Sequence, residues 1–314
     1  VKQAQEYIDK LRSYDVYAVY IKDEVFFDVE ETLESSREVV EKILERHIYK
    51  HSAELRRIGE QAVKIIDSVI SQPEVLNSVT EIRNISTDMY SHCINVCVLS
   101  TILALRLKMN DRQVRNVSMG AILHDIGLKY IQVPYINVGV DDMRPVDALE
   151  YKKHTVYGYS SLQEEEWLTE AAKEIILLHH EQIDGKGFPF SQQGEKLKSE
   201  VKIVSLCDDY DSLISGIGNK KIKVYQAIEY IRVHAGTKYD ATIAAKFLET
   251  VAWYPVGTKV ITNDGETGIV IRQNKESTDR PVIRMLKHID GSRYMDRTEV
   301  DLLKALTVFI VDTL

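Results

Sequence analysis

The chain has 314 residues, with 40 Lys and Arg against 48 Asp and Glu for a formal charge of −8, and 44% of its residues are hydrophobic. That length suits roughly two domains with a sizeable core, and the low content of Gly and Pro excludes a disordered or fibrous chain. The acidic balance disfavours long nucleic acid as a partner, while leaving open a local basic pocket for a small phosphate ligand.

Cys93, Cys97 and Cys207 form no CxxC pair, which argues against a disulfide framework or zinc knuckle and for a reducing, cytoplasmic setting. Apolar runs such as residues 96–107 fall short of the ~20 residues that span a bilayer, so no membrane segment is expected. No basic n-region with an apolar h-region follows Val1, so no signal peptide is expected either.

In chain order, Val16-Tyr17-Ala18-Val19-Tyr20-Ile21 reads as a strand and predicts a small α/β subdomain at the N terminus. Val39, Ile43, Ile58, Val63, Ile66 and Ile70 recur at helical spacing and predict two amphipathic helices. A helical block follows. Ser86 or Thr87 can cap a helix carrying Ile94, Val98, Ile102 and Leu105, and Asn110 with Gln113 resembles a capping box. Gly127 reads as a helix stop, residues 139–145 as a loop before a helix near His154, and Thr169 as the start of a helix running into His179 and His180. After Pro255 the pattern changes to strands: 259–262 and 267–271 form a hairpin about Asn263-Asp264-Gly265, and Pro281-Val282-Ile283 adds a third strand. The expected divisions are an N-terminal subdomain with linking helices at 1–72, a helical domain at 73–252 and a β-rich extension at 253–314.

Of the nine histidines, His92, His124, His154, His179 and His180 cluster in the helical block together with Asp125. A lone buried histidine is more often a satisfied core residue than a ligand, but adjacent pairs change the balance. Imidazoles and carboxylates without thiolates suit metals such as iron or manganese. His124-Asp125 emerges from an apolar helix, and its carboxylate can bridge two metals while the histidine binds one.

The stretch Ala121-Ile122-Leu123-His124-Asp125-Ile126-Gly127 resembles the signature of the HD phosphohydrolase superfamily. His179-His180-Glu181-Gln182-Ile183-Asp184-Gly185-Lys186-Gly187-Phe188-Pro189 resembles the HHE-xx-DG-x-GYP motif of the HD-GYP family of cyclic di-GMP phosphodiesterases, with Phe188 in place of Tyr. Cys207-Asp208-Asp209-Tyr210-Asp211-Ser212-Leu213 is similar to that family's AD-xYDAL segment, and residues 88–96 to the helix bearing its first histidine. Tyr254-Pro255-Val256-Gly257 and the hairpin after it resemble a C-terminal extension found in some members.

The resemblance implies a mainly α HD-domain helical bundle with the small N-terminal subdomain and a C-terminal β-hairpin extension. It implies two or three divalent ions, one held by His92, His124, Asp125 and Asp208 and a second by Asp125, His154, His179 and His180. Asp88, where some members carry glutamate, would ligate a third ion or accept a hydrogen bond beside the site, and Asp211 would orient a ligand or stand as a surface charge. Paired ions supply a nucleophilic water at neutral pH and neutralise phosphoryl oxygens, with His124 and Asp125 at the centre of that chemistry. Leu128 stands where the family has a phosphate-contacting lysine, so Lys129 is the nearest substitute. Gly185, Lys186, Gly187, Phe188 and Pro189 would form a substrate loop, with Phe188 packing on a base or bracing the turn; Lys152 and Lys153 are further phosphate candidates. The family's RPYR is lost near residues 217–220, leaving Lys220 as a replacement. The implied activity is hydrolysis of cyclic di-GMP to pGpG and GMP. The rivals are a binding module that senses a cyclic dinucleotide and signals through a partner protein, and a phosphohydrolase acting on another nucleotide; a homodimer is compatible with any of them.

Overall fold

The computed structural model describes residues 24–46, 53–71, 88–274 and 276–314. The strand expected at 16–21 lies outside them. The chain divides into two compact units, one of residues 25–251 and one that contains residues 252–314.

The first unit is helical. Its elements are α1 (Glu24–Arg46), α2 (Ala53–Ser71), α3 (Met89–Arg106), α4 (Asp111–Leu123), α5 (Pro145–Lys152), α6 (His154–Leu162), α7 (Glu170–Leu178), α8 (Ser199–Ser215), α9 (Val224–His234) and α10 (Ala241–Leu248). Helices α1 and α2 are the two amphipathic helices expected from periodicity. They bury one apolar face each, through Val29, Leu33, Val40 and Leu44 on α1 and Leu55, Ile58, Ile65 and Val69 on α2. Helix α2 packs on α3 and α4, and Gly59 admits Met119 and Trp167 so closely that a Cβ there would lie 2.8 Å from each. The two helices therefore belong to the helical unit, and the boundary expected at residue 72 does not separate them from it.

Helix α3 is the centre of the unit, flanked by α2, α4 and α8. It is long and apolar enough to cross a membrane, by length and composition, but most of it is buried inside the protein, together with the polar groups of Ser91, His92, Asn95, Ser100 and Thr101. Its N-cap is Asp88, whose carboxylate accepts from the Ser91 amide at 2.9 Å; Ser86 and Thr87 lie outside the described residues. The capping box of α4 is formed as expected, with Asn110 and Gln113 bonding each other's amides. Thr169 caps α7, and Gly216, at φ +84°, closes α8 in the left-handed conformation.

Gly127 is not the helix stop. Helix α4 ends at Leu123 and the chain continues into a 3-10 helix, Ile126–Tyr130, that contains Gly127. The glycine is needed because this segment lies directly on the start of α6: a Cβ would fall 1.8 Å from the His154 carbonyl oxygen.

The second unit holds an antiparallel sheet of β1 (Lys259–Thr262), β2 (Thr267–Asn274), β3 (Ser277–Lys287), β4 (Glu299–Asp301) and β5 (Ile310–Thr313), in the order β4-β3-β2-β1-β5. The hairpin pairs Lys259 with Ile269 and Ile261 with Thr267, and Gly265 turns it at φ +77°. Val260, Val270, Val282 and Ile283 fill its interior. The sheet is larger than the three strands expected because two short edge strands, β4 and β5, add to it.

Candidate metal centre

The side chains at the centre come from five places that meet around α3. His92 lies in the first turn of α3, His124 and Asp125 follow α4, His154 opens α6, His179 and His180 follow α7, and Asp208 lies in mid-α8. His92, His124, His154 and His179 are fully buried, and Asp125 and Asp208 nearly so.

Asp125 sits between two pairs of histidines. Its Oδ2 is 3.6 Å from His92 Nε2 and 3.5 Å from His124 Nε2, while its Oδ1 is 3.3 Å from His154 Nε2 and 3.7 Å from His179 Nε2. Asp208 closes the other side, with Oδ1 at 3.0 Å from His92 Nε2 and Oδ2 at 3.5 Å from His180 Nδ1. Donor atoms converge in overlapping groups, among them His92, His124 and Asp125, and Asp125, His154, His179 and His180.

The orientation of each ring is set by what its other nitrogen does. His124, His154 and His179 donate Nδ1–H to the carbonyls of Ala121, Tyr151 and Ile176 at 2.7, 2.7 and 2.9 Å. His92 donates Nδ1–H to Asp211 Oδ2 at 2.8 Å, a contact across 119 residues of sequence. In each neutral ring the Nε2 lone pair then faces the centre. These lone pairs meet: His92 and His124 approach Nε2 to Nε2 at 3.2 Å, and so do His154 and His179. Two acceptors at that distance repel unless a cation lies between them. Donor atoms about 2.1 Å from one ion stand roughly 3.0 to 3.4 Å apart, which matches the spacing.

Three buried atoms of this cluster, Asp125 Oδ1, Asp208 Oδ2 and His180 Nε2, have no hydrogen-bond partner. Buried polar atoms are seldom left so, and all three are good metal donors. The residues therefore fit divalent ions. The two carboxylates also draw positive charge into the cluster. Burial opposes a charged imidazole at His92, yet Asp208 and Asp211 outweigh it and raise the ring to about 10. Burial likewise opposes ionised carboxylates, but the surrounding imidazoles, His124 foremost, hold Asp125 and Asp208 well below the usual carboxylate range. Burial and the neighbouring His179 push His180 well down, so its ring stays neutral.

The other residues singled out from sequence are placed as follows. Asp88 is not in the donor groups: its carboxylate caps α3, accepts from Ser91 Oγ at 2.8 Å and pairs with Arg37 of α1 at 3.3 Å. In this structure it takes the second of its two expected roles, accepting hydrogen bonds beside the site, engaged by the helix terminus and Arg37. Asp211 is fully buried on His92, which removes the surface-charge alternative. Lys129 is half-buried with Glu45 of α1 as the charge acting on it, and among the described residues it makes no ion pair or hydrogen bond with the cluster. Leu128 is buried. Lys186 is 80% exposed and pairs with Asp184, Lys220 pairs with Asp142, and Lys153 with Glu150.

The loop from Gly185 to Pro189 does reach the centre. Phe188 stacks on His180 with ring centroids 4.5 Å apart and meets His154 edge-on at 6.2 Å. Gly187 lies so close to the preceding turn that a Cβ would fall 2.4 Å from Gln182 N and 2.5 Å from His180 O. Two residues without an expected role hold this arrangement. Glu181, buried, accepts from the amides of Phe190 and Gln192 at 2.6 and 2.9 Å and so closes the loop. Tyr151 packs its ring on that of His154 at 4.9 Å. The first could have been suspected from its place directly after His179-His180; the second carries no sequence signal.

A model of the HD domain family matches residues 38–243, and one described as a KOW domain associated with HD domain matches residues 259–314. The chain is 30% identical over 224 residues to the cyclic di-GMP phosphodiesterase PA4108 of Pseudomonas aeruginosa, a match covering 71% of this chain and 53% of that protein. It is 28% identical over 181 residues to a cyclic di-GMP phosphodiesterase of Thermotoga maritima, covering 56% and 48%. The chain thus spans about half the length of these curated relatives. Among solved structures, the fold is similar to Bd1817, a HDG"Y"P protein from Bdellovibrio bacteriovorus, with a TM-score of 0.63 at 21% identity, covering 79% of this chain and 80% of that one.

Proposed function

The chain belongs to the HD domain family, in its HD-GYP branch, and we propose that it is a metal-dependent phosphodiesterase that hydrolyses cyclic di-GMP to pGpG and onward to GMP. The observation that carries this reading is the position of Asp125, one carboxylate oxygen facing each histidine pair, with Oδ1 buried and unpartnered. Bound ions would supply Lewis-acid neutralisation of the phosphoryl oxygens and water activated at neutral pH. The chain's own residues do the rest. Three backbone carbonyls and Asp211 fix the imidazoles, Asp125 and Asp208 would balance the charge of bound ions, and Glu181 holds the 185–192 loop against the centre. The donor set of imidazoles and carboxylates without thiolate supports iron or manganese. The three cysteines are free and buried, which supports a reducing, cytoplasmic setting.

A second reading, a module that binds a cyclic dinucleotide without turning it over and signals through a partner protein, draws on one observation: buried Leu128 in place of the family's lysine. Incubation of anaerobically metal-loaded protein with cyclic di-GMP, other cyclic dinucleotides and linear nucleotides, read by chromatography, separates the two. Release of pGpG supports the phosphodiesterase. Tight binding of cyclic di-GMP by metal-replete protein with no product overturns it in favour of the module.

A further inference from the structure

We propose that Lys152 is the cationic contact for the substrate's phosphate, taking the part for which Leu128 leaves no charge; this rests on the phosphodiesterase reading above. The requirement comes first. A cyclic dinucleotide brings two phosphodiester anions, and the ions at one of them leave the other to be met by the protein. Position 128 offers a buried leucine. Lys129, next to it, makes no ion pair or hydrogen bond with the cluster among the described residues, and Lys186, Lys220 and Lys153 pair with Asp184, Asp142 and Glu150.

Lys152 differs from them in two respects. It has no carboxylate partner among the described residues, and its ammonium lies over the ring of Phe188, 5.5 Å from the centroid. That ring is stacked on His180, so the ammonium stands one aromatic ring away from a metal-ligating imidazole. The position is fixed by the backbone that fixes the centre: Lys152 is the last residue of α5, between Tyr151, whose carbonyl orients His154, and His154 itself. An ammonium over an aromatic face is attracted by the ring while its stem lies along apolar surface. It has no carboxylate to compete with an anion arriving at the loop side of the centre. Phe188 thus already packs on His180 and carries the ammonium, which favours its bracing role over base stacking.

The test compares native protein with Lys152→Met, which keeps an apolar stem on Phe188 and removes the charge, and with Lys152→Arg, which keeps the charge. Each is metal-loaded in the full chain and assayed for hydrolysis of cyclic di-GMP, for metal content by elemental analysis, and for equilibrium binding of cyclic di-GMP. Loss of one charge-assisted contact corresponds to about tenfold or more in affinity. Lys152→Met is therefore expected to raise KM and weaken binding by that factor, with native metal content and little change in kcat, while Lys152→Arg recovers most of the affinity. A Lys152→Met protein with native KM and native binding overturns the assignment even if the enzyme is active. Should the native protein bind without hydrolysis, the phosphodiesterase reading falls while weaker binding by Lys152→Met still supports Lys152 as the phosphate contact.

Discussion

Replacing Gly127 with Ala tests how the two halves of the centre are held together. A Cβ at this position would stand 1.8 Å from the His154 carbonyl oxygen and 2.7 Å from the Gly158 amide nitrogen, both backbone atoms that no side-chain rotation can move. Ordinary non-bonded approach is about 3.5 Å, so the segment after Asp125 and the start of α6 must part by more than ~1 Å. That displacement falls between two donors of one group, Asp125 Oδ1 and His154 Nε2, now 3.3 Å apart. A misplacement of about 1 Å in a catalytic constellation costs on the order of 100-fold in rate, and overpacking of this kind costs about 1 to 3 kcal/mol of stability. Metal-normalised kcat/KM, metal content and thermal melting should therefore all fall in Gly127→Ala. Gly158→Ala provides a milder step, because its Cβ would meet Ile176 at 3.2 Å and the Gly127 nitrogen at 3.3 Å, and should show a smaller loss. A Gly127→Ala protein with native metal content and native kcat/KM would refute the reasoning.

Asp125→Ala should lose both ions, since each of its oxygens faces a different histidine pair; elemental analysis showing native metal content would exclude the bridging role. Asp211→Asn keeps an acceptor for His92 but removes the charge, and metal affinity should drop about 10- to 100-fold in competition with a chelator, whereas unchanged affinity would reduce Asp211 to packing. Asp88→Ala removes a helix N-cap and should cost about 1 kcal/mol in denaturant unfolding at constant metal stoichiometry; loss of an ion from the folded variant would return Asp88 to the ligand set.

The parts of the centre that sequence made legible are those built locally. His124-Asp125 and His179-His180 each sit within one turn of a helix end, so residue spacing alone brings their donors together. The parts that were not legible depend on packing between distant elements. Asp211 reads equally well as a surface charge until α8 is laid on α3, and only then does it meet His92, 119 residues away. For Asp88 the resemblance leaves two roles open, a ligand of a third ion or a hydrogen-bond acceptor beside the site. Its actual place is the cap, where the backbone is extended at φ −97°, ψ 152° and the carboxylate turns back to the Ser91 amide. Gly127, by contrast, was misjudged. A glycine near a helix end suggests a stop, but the close approach of α6 that requires it leaves no trace in the neighbouring residues.

Three of the five histidines share one structural device. His124, His154 and His179 each donate Nδ1–H to the carbonyl three residues earlier, at or near the end of a helix, where carbonyls lack intrahelical partners. The helix end is satisfied and the ring is oriented by the same bond, before any ion binds. His92 cannot use it, because it lies in the first turn of α3, and so it depends on Asp211. His180 has neither arrangement. Its Nδ1 is 3.5 Å from Asp208 Oδ2, beyond a good hydrogen bond, and its Nε2 is an unpartnered buried atom. Its ring is held by packing instead, against His179 at 4.3 Å, Phe188 at 4.5 Å and His154 at 5.0 Å, and Phe188 is in turn placed by a loop that Gly187 allows to close on the His180 carbonyl. The loop that would meet the substrate therefore also orients one of the ligands, which couples substrate-side changes in residues 185–189 to metal retention, most directly at His180.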